Sequence, residues 1–262
     1  MMPKVIANDS DAQAFITATG ISGTNATAIN QLVIDLKNAN IWSKMKAVYP
    51  IIGGTATSHK FNLINPADTN AAFRLVFAGG VTHSATGILF NGTNGWADSF
   101  MNMLSNFTSF DIHLSANINS DWTGTVAQNH IGANASSTSC NRLGAISSTV
   151  EVSLFGGTSF SNYGVQTTVT STTHKGFWCG SRLSLTSFNL INPNGIITAN
   201  TSSAPSTQPN LTLGLGCRRG TTNDFYSGFG YSFFSAGTGL TTTELTALKT
   251  AVNNYQTTLG RL

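Results

Sequence analysis

The chain has 262 residues, a net charge of +3, and only 9% charged residues against 40% hydrophobic and 10% aromatic. Charged side chains usually make up about a quarter of a globular protein, so a charge-rich disordered chain is excluded, and the apolar share is enough for a real core. The longest basic run is Arg218-Arg219, too short to track a phosphate backbone, and nucleic acid is not an expected partner. The start, "MMPKVIANDSDAQ", lacks the apolar core of a secretory signal, and no window approaches the ~18 apolar residues of a membrane span, so neither is expected. Cys140, Cys179 and Cys217 are too widely spaced for C-x-x-C and are expected as buried thiols in strands.

In chain order, "SDAQAFITATG" predicts a helix whose capping box is Ser10 with Gln13, closing at Gly20. "TNATAINQLVIDLKNANIW" places Ile29, Leu32, Val33 and Leu36 on one helical face. Asp11 and Asp35 are read as helix-end and surface charges. "IIGGTATSHKFN", after Tyr49-Pro50, is read as a hinge: Gly53 and Gly54 turn the backbone and His59–Leu63 begins the first strand. From Lys60 to Ser235 about a dozen short strands are expected, among them "TVEVSLF", "LTLGLG" and "FGYSFF", with turns at "NGTNG", "FGGTS" and "NPNG". The clearest strand is "FDIHLSANI", with Ile112, Leu114, Ala116 and Ile118 on one side and Asp111, His113, Ser115 and Asn117 on the other. "LTTTELTALKTAVNNYQTTL" closes the chain as a helix capped by Thr241 and Glu244, with an apolar stripe of Leu245, Leu248, Val252, Tyr255 and Leu259. This succession, without long helices between strands, predicts a mainly β fold: an antiparallel β-sandwich or jelly roll.

Catalytic patterns are sparse. The adjacent glycines of the hinge do not make a phosphate loop, "LGLGCRRG" lacks dinucleotide-loop spacing, and no G-x-S-x-G elbow exists. His59, His83, His113, His130 and His174 are scattered and expected at the surface. Glycosidases need two carboxyls across the scissile bond; of the two glutamates, Glu151 lies on a predicted strand and Glu244 caps a helix, leaving Asp98, Asp111 and Asp121 to converge in space. Non-catalytic sugar binding needs an aromatic platform with amide and hydroxyl partners. Trp96, Trp122, Trp178 and Tyr226 are the aromatics near such residues, and Trp96 and Trp122 follow turns. The candidate glycan-binding set is therefore Trp96, Asp98, Asp121, Trp122 and Tyr226. Asp98 and Asp121 are also the candidate calcium ligands, although the chain has no calcium-loop pattern. No other metal or cofactor is expected.

The phrases "FNGTNGWADS", "GFWCGSRLSLTSFNLINPNG", "PNLTLGLG" and "GTGLTTTEL" resemble the signposts of concanavalin A-like, laminin-G-type lectin sandwiches, with Trp96 at an aromatic position and Leu240, Thr241, Glu244 and Leu245 at the ending. "DAQAFITATGI", "AINQLVIDLK", "IWSKMKAVYPIIGGTATSHKFNLINP", "AAFRLVFAGGVTHSATG" and "YQTTLGR" resemble virion structural proteins of bacteriophages, especially those infecting Bacteroidetes. These resemblances imply a concanavalin A-like sandwich (55–262, closed by the helix 241–259) behind an N-terminal helical segment and hinge (1–54). They imply a virion location on the capsid or tail, other virion proteins as partners, a homo-oligomer, and host-surface or mucin glycans as ligands, with no catalytic residues to transfer. The alternative is a sandwich-fold glycoside hydrolase or lyase acting on surface polysaccharide.

Overall fold

The structure, a computed structural model, describes residues 8–107, 110–121, 126–136, 139–146, 149–156, 166–170, 173–201 and 207–262. The described strands, in chain order, are β1 Met45–Tyr49, β2 Val76–Ala78, β3 Val81–Ser84, β4 Gly87–Phe90, β5 Trp96–Asn102, β6 Ile112–Ile118, β7 Gln128–Ser136, β8 Ser139–Ile146, β9 Thr149–Gly156, β10 Gln166–Thr170, β11 Gly176–Ser184, β12 Ser187–Ile191, β13 Ile197–Asn200, β14 Thr212–Leu215 and β15 Gly230–Gly237. The helices are α1 Ser10–Thr19, α2 Thr24–Asn38, α3 Ala56–His59, α4 Met103–Asn106 and α5 Thr242–Thr258.

The strands form two antiparallel sheets. One has eight strands in the order β13-β12-β11-β6-β15-β4-β3, with β1 also paired to β15; the other has seven in the order β10-β9-β8-β7-β14-β5-β2. The expected sandwich is present. Its inner layer takes alternate residues from both sheets, including Ile112, Leu114, Ala116, Trp178 and Tyr231 from the first and Ala97, Met101, Ile131, Leu143 and Leu215 from the second. This is the period-two pattern of a pleated strand.

A second core lies on the other side of the eight-stranded sheet. There α1, α2 and α5 bury Phe15, Ile29, Leu32, Val33, Leu36, Leu245, Leu248, Val252 and Tyr255 against Val48, Phe177, Cys179, Ile191 and Phe233. The helix stripes read from sequence are the ones that pack, with Leu259 partly buried beside them. Thr241 and Glu244 form the expected capping box, and Lys44 Nζ donates to Glu244 Oε2 at 2.7 Å. The far end of α5 is fixed by Tyr255, whose hydroxyl donates to the Pro50 carbonyl at 2.7 Å.

Several expectations are corrected. The cap of α1 is Asp9, whose side chain accepts from the Asp11 amide, and Ser10 is already helical. Asp11 does lie at the helix end, paired with Lys37 at 2.6 Å. Residues 45–49 are a strand, not the tail of the helical segment, because β1 completes the edge of β15 beyond the stretch that pairs with β4. Five residues are too few for a period to separate strand from helix. The hinge does not start a strand: Thr55 and Ser58 cap the single turn α3, after Gly53 and Gly54 at φ 92° and 80°. "FGGTS" lies largely outside the described residues. All three cysteines are buried, Cys140 and Cys179 within strands and Cys217 just after β14.

The histidines are not surface residues. His59, His113, His130 and His174 are buried, and His83 is half-buried. The polar face of β6 is covered by the helical layer, and most of its groups bond to one another and to the backbone, as buried polar groups generally do, although Asn117 Oδ1 has no partner among the described residues. His113 uses both ring nitrogens, Nδ1 with the Thr238 carbonyl at 2.6 Å and Nε2 with Ser235 Oγ at 3.2 Å. Ser115 Oγ lies 2.6 Å from Ser235 Oγ, and Asn117 Nδ2 donates to Ser232 Oγ at 2.8 Å. Gly237 leaves the space the His113 ring occupies: a Cβ there would sit 2.7 Å from His113 Cε1. On the edge strand β3, the His59–His83 contact fixes a tautomer. The Gly54 amide donates to His59 Nε2 at 3.1 Å, so neutral His59 carries its proton on Nδ1 and donates to His83 Nδ1 at 3.0 Å.

Burial holds His59 and His130 down to about 3 and His113 down to about 4, below the ~6.5 of an unfolded chain. The unfolded state therefore binds protons that the native state refuses. Stability is fully present above about pH 6.5 and is lost as pH falls toward about 4 and then 3. Thermal unfolding followed by circular dichroism is expected to show Tm falling continuously from about pH 6.5 downward; a flat Tm between about pH 7 and about pH 4.5 would contradict these burials. Leu248→Ala, at a fully buried site of the helix layer, is expected to cost about 2–5 kcal/mol in urea unfolding, against about 1 kcal/mol for loss of the cap in Thr241→Ala. A Leu248→Ala cost below that of Thr241→Ala would contradict the packing of α5.

Candidate functional site

The eight-stranded sheet has both faces covered, and in the seven-stranded sheet residues 128–133 of β7 and 139–145 of β8 are buried as well, whereas alternate residues of β5 stay partly exposed. On β5, Ala97 and Met101 point into the inter-sheet core, which turns Trp96 and Asp98 outward. Both are half-buried. Asp98 Oδ1 accepts from the Phe100 amide at 2.8 Å, supporting a backbone turn in which Phe100 takes φ 57°. The β5–β14 register slips across this stretch, a bulge that re-aims side chains.

The chain after β14 lays a second set of groups over this face. Arg219 runs beside β7, accepting from the Asn134 amide at 2.7 Å through its carbonyl. Its guanidinium stacks 5.0 Å from the centre of the Trp96 ring, with Nε 3.8 Å from Asp98 Oδ2. Nη1 donates to the Gly220 carbonyl at 3.1 Å and to Asn223 Oδ1 at 3.0 Å. Gly214 lies directly underneath, where a Cβ would come within 3.0 Å of Arg219 Cβ. Arg218 pairs with Asp224 through two hydrogen bonds, one of them Nε to Oδ1 at 2.8 Å, and stacks 4.2 Å from the Phe225 ring. Phe225 is held at φ 48°, an unfavourable backbone state for a bulky residue, and such states gather at ligand sites. Half-buried Tyr226 adjoins, its hydroxyl pushed up by burial and by Cys217 and Asp224.

The structure thus brings Trp96, Asp98 and Tyr226 into one neighbourhood. The organising residue, Arg219, was absent from the sequence-based set; its signal was an arginine doublet between Gly216 and Gly220 ahead of Phe225-Tyr226. That doublet is not a solvated basic loop, since each arginine is stacked on an aromatic ring and lies beside a carboxylate. Trp178 is a fully buried core residue whose Nε1 donates to the His174 carbonyl at 2.8 Å. Trp122 lies outside the described residues.

Asp121 stands apart, at the end of β6. Its Oδ1 accepts from Thr173 Oγ1 at 2.6 Å and from the amides of His174 and Lys175 at 2.9 and 3.1 Å; the Thr173 bond, ahead of the two amides, holds its carboxyl below the usual range. Asp98 faces an arginine and an amide. Carboxylates surrounded by donors in this way do not suit a calcium ion, which takes several oxygen ligands, and among the described residues no three His, Cys, Asp or Glu side chains converge. Nor do Asp98, Asp111 and Asp121 meet. Asp111 accepts from the Gly239 amide at 2.7 Å at one end of β6, Asp121 lies at the other end, roughly 20 Å or more along the strand, and Asp98 is on the second sheet. The side chain of Glu151 lies outside the described residues. Among the described residues no helix is long and apolar enough to cross a membrane.

No protein-family model and no curated protein matches the chain. Solved structures match its fold. Domain 4 of a GH43 extracellular arabinanase from Geobacillus stearothermophilus, solved with arabinotriose, aligns at TM-score 0.51 and 12% identity over 79% of this chain and 98% of that one. The binding domain of botulinum neurotoxin DC, solved with rat synaptotagmin II, aligns at TM-score 0.56 and 9% identity over 82% of this chain and 53% of that one. The botulinum neurotoxin type C structure whose cell entry depends on two ganglioside molecules aligns at 0.54 and 11%, over 82% and 53%. The chain spans about half the length of the toxin structures it matches. At these identities the likeness is one of fold: a β-sandwich of two antiparallel sheets with a few helices.

Proposed function

We propose that the chain is a non-enzymatic glycan-binding module of a bacteriophage virion, built on a concanavalin A-like, laminin-G-type sandwich and displayed on the capsid or tail. The observation that carries the binding role is the Trp96–Arg219 stack with Asp98, Asn223 and Tyr226 on a rigid sheet face. An aromatic ring with fixed amide, carboxylate and guanidinium partners offers a sugar both an apolar face and directional hydrogen bonds. The virion placement is supported by the resemblance of the N-terminal and C-terminal phrases to phage structural proteins. Display as a homo-oligomer beside other virion proteins would turn a weak single site into useful avidity for host-surface or mucin glycans.

Two measurements test this reading. Purified particles are expected to contain the polypeptide, and particles that lack it would contradict the virion role. The intact protein on an array of neutral oligosaccharides is expected to retain specific members, with binding weakened at least about fivefold in Trp96→Ala, since a stacked aromatic contributes on the order of 1 kcal/mol or more. Unchanged binding in Trp96→Ala would remove this face as the site.

A further inference from the structure

A separate cleft opens at the rim where the β3–β4 hairpin meets the end of β6 and the C-terminus. Thr82, Ser84, Thr86 and Ser120 line one part, and Thr86 and Asn119 continue it toward Lys175 and Arg261. Its floor is fixed by backbone. Asn119 lies between Gly87 and Gly230, where a Cβ on either glycine would overlap its side chain, and its Nδ2 donates to the Thr86 carbonyl at 2.9 Å. Ser120 Oγ accepts from the Gly230 amide at 2.7 Å, which leaves its own proton to donate. Ser84 Oγ donates to the Gly87 carbonyl at 3.2 Å and lies 3.0 Å from Thr86 Oγ1. Thr86 therefore donates to Ser84 and keeps its oxygen lone pairs for an incoming hydroxyl.

The cleft carries two cations, Lys175 and Arg261. Lys37, Lys44, Lys60, Arg74, Arg218 and Arg219 each lie within 4.0 Å of a carboxylate. Among the described residues, Lys175 and Arg261 form no such pair. Arg261 is held across the cleft edge by the carbonyls of Ile51 and Ala85. Asp121 holds the Lys175 backbone in place from behind, its Oδ1 already accepting from three donors. A guanidinium held by two carbonyls and an exposed ammonium, beside a row of hydroxyls and an amide, match a ligand that carries an anionic group and several hydroxyls.

We propose that this rim cleft is a second saccharide site, selective for acidic sugars, with Lys175 and Arg261 facing the carboxylate or sulfate and Thr82, Thr86 and Ser120 facing ring hydroxyls. The proposal rests on the glycan-binding reading above but on different residues, so the two can fail separately. The test is titration of the intact protein with an oligogalacturonate, a chondroitin sulfate oligosaccharide and a neutral oligosaccharide of equal length. Acidic ligands are expected to bind at least about fivefold more tightly than the neutral one and to weaken with salt. Lys175→Glu, at an exposed position, is expected to weaken acidic ligands about tenfold or more, whereas Lys249→Glu on α5 leaves them unchanged. Equal binding of acidic and neutral ligands, or equal losses in Lys175→Glu and Lys249→Glu, would overturn the cleft. Silence of Trp96→Ala toward the neutral ligand would count against the sheet-face site alone.

Discussion

Strands β6 and β15 lie at the middle of a sheet that is buried on both sides, and this constraint organises the molecule. One side faces the second sheet with aliphatic and aromatic residues. The other faces α1, α2 and α5 and carries His113, Ser115, Asn117, Ser232 and Ser235 beside Phe177 and Phe233. A buried polar group without a partner costs on the order of 1–3 kcal/mol, so that side must be wired as well as packed. The wiring reaches the helix layer: Ser181 Oγ donates to the Leu240 carbonyl at 2.8 Å just before α5, and Gln256 Nε2 of α5 donates to the Ser232 carbonyl at 3.4 Å.

Covering one sheet twice decides where recognition can occur. The helices take the outer face of one sheet and β7 and β8 of the other are largely buried too, so exposure concentrates along β5, the segment after β14 and the loop rims. The unusual local chemistry gathers on those surfaces. Beside β5 stand Phe100 and Phe225 in left-handed backbone, two of five non-glycine residues with positive φ among the described residues, next to a stacked arginine. The rim carries Lys175 and Arg261, neither of which is within 4.0 Å of a carboxylate among the described residues. A sheet framework suits the proposed binding role, because little ordering is needed when a ligand docks on preformed structure.

Much of the fold was legible because its signals are local. The stripe Ile29-Leu32-Val33-Leu36, the Thr241–Glu244 cap and the alternation in β6 each reflect neighbours a few residues apart. What could not be read was tertiary. Nothing within "FDIHLSANI" reveals that a helix from the opposite end of the chain covers its polar side, so its histidine was expected at the surface. The strand "MKAVY" depends on an edge supplied by β15, far away in sequence. The same holds for the site: Trp96 and Asp98 were visible as an aromatic and an acid after a turn, while the arginine that joins them to Tyr226 arrives from a segment more than a hundred residues later.

The central claim is that the helix layer and the doubly buried sheet stand or fall together. Native-state hydrogen exchange across a denaturant series tests it most directly. The account predicts that amides of β6 and of the buried turns of α5 open with the same free energy, equal to that of global unfolding. Exchange of α5 at a much lower opening energy, with β6 still protected, would show a separable helical cover and contradict it.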